Sequence, residues 1–446
     1  MKALLKFIVL LFIASNMLAQ TPTWTTYNND NTSGSLPGVY SLATDASGNI
    51  WIGSYRSLVK YDQGTAWTVY NSSNSLLPND ATADVKDVAV DNSNNIWICT
   101  YASGLHRFNG TSWQQYLPSN SGILSNYTYC VGFDTPGNVW MGIYPTSPSN
   151  AGVVKWDKGS NWTPYTFTDT YNYKNVEAIA KDNSGNIWCG TNIGLYKFNP
   201  TNSTWTVYTK ENTSGGLGGN WVRVIATDAA GNIWLGTMDK VNDSWVGTGL
   251  TKYTPSTNLW SNYIANSQDP NSKVVSAIAF RNTDVWVGTG FCGQYNGNGL
   301  YKLSGSTWTN YVNDLSTFPT SCVNDLVVDK NNNLWIASGA GLTKVDFNPT
   351  AVEEYIETIP AQFTLSAYPN PFNPTTKIEF SIPTAGKYTI KVYNTLGQEV
   401  TMLVDHELVA GVHSVTFDAC GLASGIYVCK LSGDNINLSK KIVLMK

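Results

Sequence analysis

Asp182-Asn-Ser-Gly-Asn-Ile-Trp188 is the phrase on which the fold of this chain turns. It recurs as Asp45-Ala-Ser-Gly-Asn-Ile-Trp51, Asp91-Asn-Ser-Asn-Asn-Ile-Trp97, Asp134-Thr-Pro-Gly-Asn-Val-Trp140, Asp228-Ala-Ala-Gly-Asn-Ile-Trp234 and Asp329-Lys-Asn-Asn-Asn-Leu-Trp335, with a shortened copy at Asn282-Thr-Asp-Val-Trp286. The seven tryptophans are 46, 43, 48, 46, 52 and 49 residues apart. Asp bonds its own backbone and Gly or Asn tolerates positive φ, so each phrase reads as a tight hairpin turn. Around Trp188 the strands read Val176–Ala180, Ile187-Trp188, Gly194–Phe198 and Trp205–Tyr208, short alternating pieces that favour strand over helix. Four strands per period of this length is the signature of a propeller blade.

A second pattern, Trp-x-x-Tyr, also occurs seven times, from Trp24–Tyr27 to Trp308–Tyr311, but out of phase with the first. Its first copy precedes any first strand, and the last unit, Val323–Asp346, has none after it. The expectation is an all-β, seven-bladed propeller over residues 20–346, closed by an N-terminal strand so that no blade edge stays free at the seam. The two patterns absorb 14 of the 17 tryptophans, so most of the aromatic content is core. Small residues eight before the repeat Trp, such as Ala43, Ala89 and Gly132, suit strands crowded around an axis.

Outside the ring the chain changes character, for no Trp follows Trp335. Met1-Lys2 and Lys6, the apolar run Phe7–Ala14 and Ala19/Gln20 read as a signal peptide over residues 1–19. No later stretch is apolar enough to span a bilayer, so an exported, soluble product is expected. Residues 347–362 read as a linker. Residues 363–446 carry alternating stretches at Tyr388–Tyr393, Val412–Phe417 and Gly425–Leu431, which suit a small immunoglobulin-like β-sandwich. Three prolines in Tyr368-Pro-Asn-Pro-Phe-Asn-Pro374 imply an extended, hydrogen-bond-poor segment at a sheet edge.

The repeated phrase resembles the two-component regulator propeller repeat, which implies a propeller that senses an extracellular ligand, often a glycan. Tyr368–Thr376, Val392-Tyr-Asn394, Leu396-Gly-Gln398, Ala410-Gly411, Ala423–Tyr427 and Lys440–Lys446 resemble the type A C-terminal sorting domain of the type IX secretion system. That resemblance implies passage through the periplasm, engagement of the type IX machinery, and release or surface display.

The charge balance, 27 basic against 31 acidic residues, gives no footprint for nucleic acid. With His106 the only histidine before His406 and His413, acid–base chemistry and a metal site both lack support, and no catalytic residue, metal or cofactor is assigned. A propeller resembling the streptogramin lyases would need histidine and a metal. Binding has better-placed candidates. Eleven residues before the repeat Trp stand Tyr40, Lys86, Tyr129, Glu177, Arg223 and Asn324, with Ser276 in the shortened copy: a variable position on otherwise repetitive strands. The two-to-three connections Ile143–Ala151, Met238–Thr248 and Gly290–Gly297 read as long loops carrying Tyr144, Trp245, Phe291 and Tyr295, and Trp221 stands beside Arg223. Cys292 and Cys322 fall in adjacent units on this face, where a disulfide is expected. The chain therefore reads as an exported propeller binding an extracellular glycan or protein; the alternatives are a secreted polysaccharide hydrolase or lyase and a purely structural surface protein.

Overall fold

The structure, a computed structural model, describes residues 22–445 apart from 65, 147–150, 168–174, 266–268, 294, 296, 312–319, 348–361, 409–410 and 434–435. The expected signal peptide and nearly all of the expected linker lie outside the described residues. The chain divides into two compact units, Met1–Asn348 and Pro349–Lys446.

The first unit is a ring of seven four-stranded antiparallel sheets. Blade 4 shows the plan: Val176–Lys181, Ile187–Thr191, Gly194–Asn199 and Thr204–Tyr208, paired in chain order. Blade 7 contributes Val323–Val328, Leu334–Ser338 and Gly341–Asp346, and its fourth strand is Thr23–Tyr27 from the other end of the unit. Thr23 pairs with Asp346 and Tyr27 with Leu342, so the ring is closed by hydrogen bonds within one sheet.

The repeated phrase is a clasp as well as a turn. Asp182 Oδ1 accepts the Asn186 backbone N–H at 2.9 Å, and Oδ2 accepts the Trp188 indole N–H at 2.8 Å. The Asn186 amide donates to the same carboxylate. Asp45, Asp91, Asp134, Asp228 and Asp329 hold Trp51, Trp97, Trp140, Trp234 and Trp335 in the same way. The phrase thus spaces an acceptor and a donor so that neither is buried unpaired. Burial works against the charge on Asp91, but hydrogen bonds from Lys158, Asn95 and Trp97 prevail and bring its carboxyl down to about 2. In blade 6 the turn is shorter, no Asp precedes Trp286 at this distance, and the Trp286 indole N–H is buried without a partner.

Strand register gives the small residues a second role. Ala43, Ala89, Gly132, Ala180 and Ala226 stand directly opposite the repeat tryptophans on the neighbouring strand, where a larger side chain would compete with the indole. On the other side a cation from the third strand lies over each ring, Lys252 over Trp234 at 5.0 Å and Lys197 over Trp188 at 5.2 Å being the closest. Each blade then packs on the next: Ala43, Trp51 and Leu58 share one buried cluster with Val85, Val88, Ile96 and Ile98. At Gly53 a Cβ would sit 2.6 Å from Val85 and at Gly288 2.4 Å from Val323, so the close blade spacing requires glycine there.

The second unit has two sheets, one of Thr364–Tyr368, Thr375–Ile382 and Gly411–Asp418, the other of Glu399–Leu408, Gly386–Tyr393, Gly425–Gly433 and Ile436–Leu444. Ile378, Phe380, Ile390, Val392, Phe417, Leu431 and Ile442 fill one core between them. The proline-rich segment is better bonded than its sequence implies. Phe372 exchanges backbone hydrogen bonds with Val443 and Met445, and the Asn370 side chain accepts from Val443 N and donates to Lys441 O. The Asn amide supplies the ladder contacts that proline cannot.

Candidate functional site

The inner strand of a blade carries one irregularity, and it falls at the variable position. The register with the second strand shifts between Val85 and Asp87, Thr128 and Cys130, Val176 and Ala178, Val222 and Val224, Val275 and Ala277, and Val323 and Asp325. The residues skipped are Lys86, Tyr129, Glu177, Arg223, Ser276 and Asn324. In blade 1 the Tyr40 N–H donates to the Gly53 carbonyl while Ser41 is the strand partner of Gly53, which gives Tyr40 the same place. A bulge releases one residue from the ladder and re-aims its side chain. All seven residues line one cavity of about 430 Å³ at the mouth of the ring. The structure therefore brings Tyr40, Lys86, Tyr129, Glu177, Arg223 and Asn324 together.

The other four candidates are not in that lining. Tyr144 stacks on Tyr129 at 6.2 Å. Trp221 meets Trp245 edge-on at 4.6 Å and Tyr295 at 6.4 Å. Arg223 sits inside this aromatic group, its guanidinium 3.7 Å from the Phe291 ring centre, 4.9 Å from Trp221 and 5.9 Å from Tyr295. Arg223 also approaches Glu177 at 4.0 Å, and both side chains are buried. Burial pushes the Glu177 carboxyl up, opposed by Arg223 and by polar hydrogens of Trp221, Asn175 and Tyr129. Burial and then the Glu177 charge raise the Tyr129 hydroxyl. Trp221, Phe291 and Tyr295 clothe a desolvated ion pair.

One connection differs from the sequence reading and another carries the expected disulfide. Met238–Thr248 is no loop: Ile233–Val241 and Ser244–Thr254 run on as one long hairpin, with Asn242 and Asp243 at positive φ in its turn. In the other, Phe291 and Tyr295 exchange backbone hydrogen bonds, and Cys292 is bonded to Cys322 across a Cα separation of 5.3 Å. Asn324 is engaged on both sides of its amide, donating to the Val39 carbonyl and accepting from Cys292 N. Trp156 is a buried core residue stacked on Trp162 at 4.5 Å.

The sequence reading missed the floor of the cavity. Asp87 accepts from Ser41 Oγ and Val131 N, and Asp325 from Leu42 N and Leu326 N, so each carboxylate staples its blade to a neighbour. Desolvation pushes Asp87 up to about 6 and, with the Asp87 charge adding to it, Asp325 up to about 7. The signal was present: ten residues before the repeat Trp, blades 2 and 7 carry Asp where blades 1, 3, 4 and 5 carry Ser41, Cys130, Ala178 and Val224 and the shortened copy has Ala277 in the matching place. Among the described residues no group of three or more His, Cys, Asp or Glu is placed to hold a metal ion.

Residues 366–445 match the secretion system C-terminal sorting domain, and residues 33–56 and 216–239 match the two component regulator propeller. The chain carries regulator-propeller repeats and a type IX sorting domain. Its fold is shared with PorZ, a bacterial surface component of the type-IX secretion system of Porphyromonas gingivalis, at 18% identity and a TM-score of 0.57, over 92% of this chain and 60% of that one. The extracellular domain of BT4673 from B. thetaiotaomicron, described as a hybrid two component system, aligns at 16% identity and a TM-score of 0.55, over 96% of this chain and 60% of that one. YCF48 from Cyanidioschyzon merolae aligns at 15% identity and a TM-score of 0.51, over 72% of this chain and 98% of that one. The chain spans about 60% of the length of the first two relatives, and at these identities the likeness is one of fold. The sorting domain marks this regulator-type propeller for secretion or the cell surface, and no helix among the described residues is long and apolar enough to cross a membrane.

Proposed function

We propose that the propeller is an exported binding module that holds an extracellular glycan at the mouth of its ring and does not cleave it. The observation that carries this reading is the set of seven inner-strand residues, six of them marked by a register shift, which present Tyr, Lys, Tyr, Glu, Arg, Ser and Asn around one cavity. A structural ring would be served by seven equivalent residues; seven different ones on one backbone plan suit an asymmetric polar ligand. Most of the carboxylates around the cavity are engaged elsewhere. Asp87 and Asp325 accept backbone N–H groups and Glu177 faces Arg223, which supports binding over hydrolysis by a pair of free carboxyl groups. The type IX machinery is the partner in export, engaged through residues 366–445. A glycan array probed with the full-length protein, followed by mass analysis of the bound glycan, tests the reading. Retention of an intact glycan is expected; shortened or unsaturated products would establish catalysis instead.

A further inference from the structure

The mouth has a second aromatic feature that the variable position does not account for. Tyr55, Tyr101 and Tyr144 each stand four residues after the repeat tryptophan, just beyond the second strands Ile50–Ser54, Ile96–Thr100 and Val139–Ile143. They occupy one structural position in three consecutive blades. Blades 4 to 7 carry Asn192, Met238, Gly290 and Gly339 there. A fully packed position would bury its rings, yet Tyr55 is 41% exposed, Tyr101 51% and Tyr144 44%.

These rings are exposed but not loose. The Tyr101 N–H donates to the Asp84 carbonyl and the Tyr144 N–H to the Tyr127 carbonyl, tying each to the start of the inner strand of its own blade. Tyr127 abuts Tyr101 edge-on at 5.5 Å, and Tyr129 stacks on Tyr144. The Arg56 guanidinium lies 4.6 Å from the Tyr55 ring centre and the Lys86 ammonium 5.2 Å from that of Tyr101. Two polar atoms here, Asp84 Oδ1 and Arg56 Nε, are buried without a hydrogen-bond partner. Asp84 and Lys86 also line the mouth cavity beside Tyr40, so the arc runs into the cavity.

We propose that Tyr55, Tyr101 and Tyr144 form a rail for successive residues of a neutral glycan chain, one end of which reaches the mouth cavity. The apolar C–H faces of pyranose rings match exposed aromatic faces, and fixed tyrosines lose little conformational freedom on binding. Asp84 supplies a hydroxyl acceptor and Lys86 a donor between stacking positions. Arg56 and Lys86 balance the acidic groups beside them, so the arc carries no net charge that would select a charged chain, and three rings in consecutive blades outnumber the contacts a single sugar can make. This inference rests on the mouth being a glycan site and adds the length of the ligand and the path it takes.

The test is calorimetric titration of the full-length protein with cellohexaose, xylohexaose, mannohexaose and laminarihexaose, each beside its own disaccharide. At least one hexaose is expected to bind about tenfold or more tighter than its disaccharide. Tyr101→Ala and Tyr144→Ala are each expected to weaken the hexaose about tenfold, to leave the disaccharide unchanged, and to leave the melting temperature unchanged. Tyr101→Phe is expected to retain binding. Hexaose binding that is indifferent to both alanine substitutions would remove the rail and leave the mouth site standing. Failure of every glycan to bind the wild-type protein would remove both.

Discussion

Aromatic side chains crowd both sides of the mouth, yet blades 1 to 3 and blades 4 to 6 use them in opposite ways. On the first side Tyr40, Tyr55, Tyr101 and Tyr144 each keep two fifths or more of their surface open. On the second side Trp221, Trp245, Phe291 and Tyr295 turn toward one another and toward Arg223, and the Cys292–Cys322 bond fixes the segment that carries two of them. The difference follows from charge. Arg223 and Glu177 are both removed from water at 4.0 Å, a pair whose desolvation must be offset by close neighbours, and the aromatic faces are those neighbours. Lys86 is exposed and leaves its tyrosine open. An aromatic residue outside the repeat core is free for a ligand only where no buried charge needs it.

The largest test of this contrast removes the charge. Arg223→Ala leaves Glu177 buried and alone and is expected to cost about 3–5 kcal/mol in urea denaturation, whereas the double variant Arg223→Met with Glu177→Gln recovers most of the loss. A cost below about 1 kcal/mol for Arg223→Ala would mean that the aromatic group stands without the ion pair.

A smaller effect separates the blades by their clasps. Asp182→Ala strands the Trp188 indole N–H and is expected to cost about 1–3 kcal/mol. In blade 6, where the N–H of Trp286 is already unpaired, Trp286→Phe is expected to cost less than Trp188→Phe by thermal denaturation. Equal costs would deny the clasp its role.

The pH dependence has a worked sign. Asp325 is raised to about 7 in the folded state from 3.8. The folded protein therefore holds this proton where the unfolded chain has released it, and stability falls as pH rises from about 4 through 7. His106, lowered to about 4 by burial, acts oppositely, and its contribution is lost as pH falls from 6.5 toward 4. The difference between the wild type and Asp325→Asn isolates the carboxyl: the variant should gain relative stability between about pH 4 and pH 7. A pH-independent difference would contradict the burial argument.

The smallest effect is on the open side. Tyr101→Ala should change stability by no more than about 0.5 kcal/mol, because its ring covers no core. A loss of 2 kcal/mol or more, on the order of a buried aromatic's cost, would place Tyr101 with the packed group and end the contrast.

Much of this was legible in the sequence, for physical reasons. The ring could be read because each blade repeats the same solution, an Asp and an indole at fixed separation, and the seam because Trp24–Tyr27 has no blade of its own. The mouth ring could be read because variation at one position stands out against Val85, Val176 and Val222, which are buried against the neighbouring blade. What Trp221, Trp245, Phe291 and Tyr295 face depends on contacts between blades 4, 5 and 6, and sequence spacing holds no record of those. Tyr55 and Tyr101 sit in short turns, which give no signal of added loop length. The long hairpin at Met238–Thr248 reads as a loop in the sequence because its added residues carry no alternating pattern.

Hydrogen exchange with and without a bound hexaose tests the central claim most directly, because it maps where on the ring a ligand sits. The account predicts slowed exchange at Tyr40–Ser41, Asp84–Asp87, Tyr101 and Tyr127–Tyr129, and none at the Asp-turns on the other ends of the blades, such as Asp182–Asn186. Protection confined to those turns, or spread evenly around all seven blades, would contradict it.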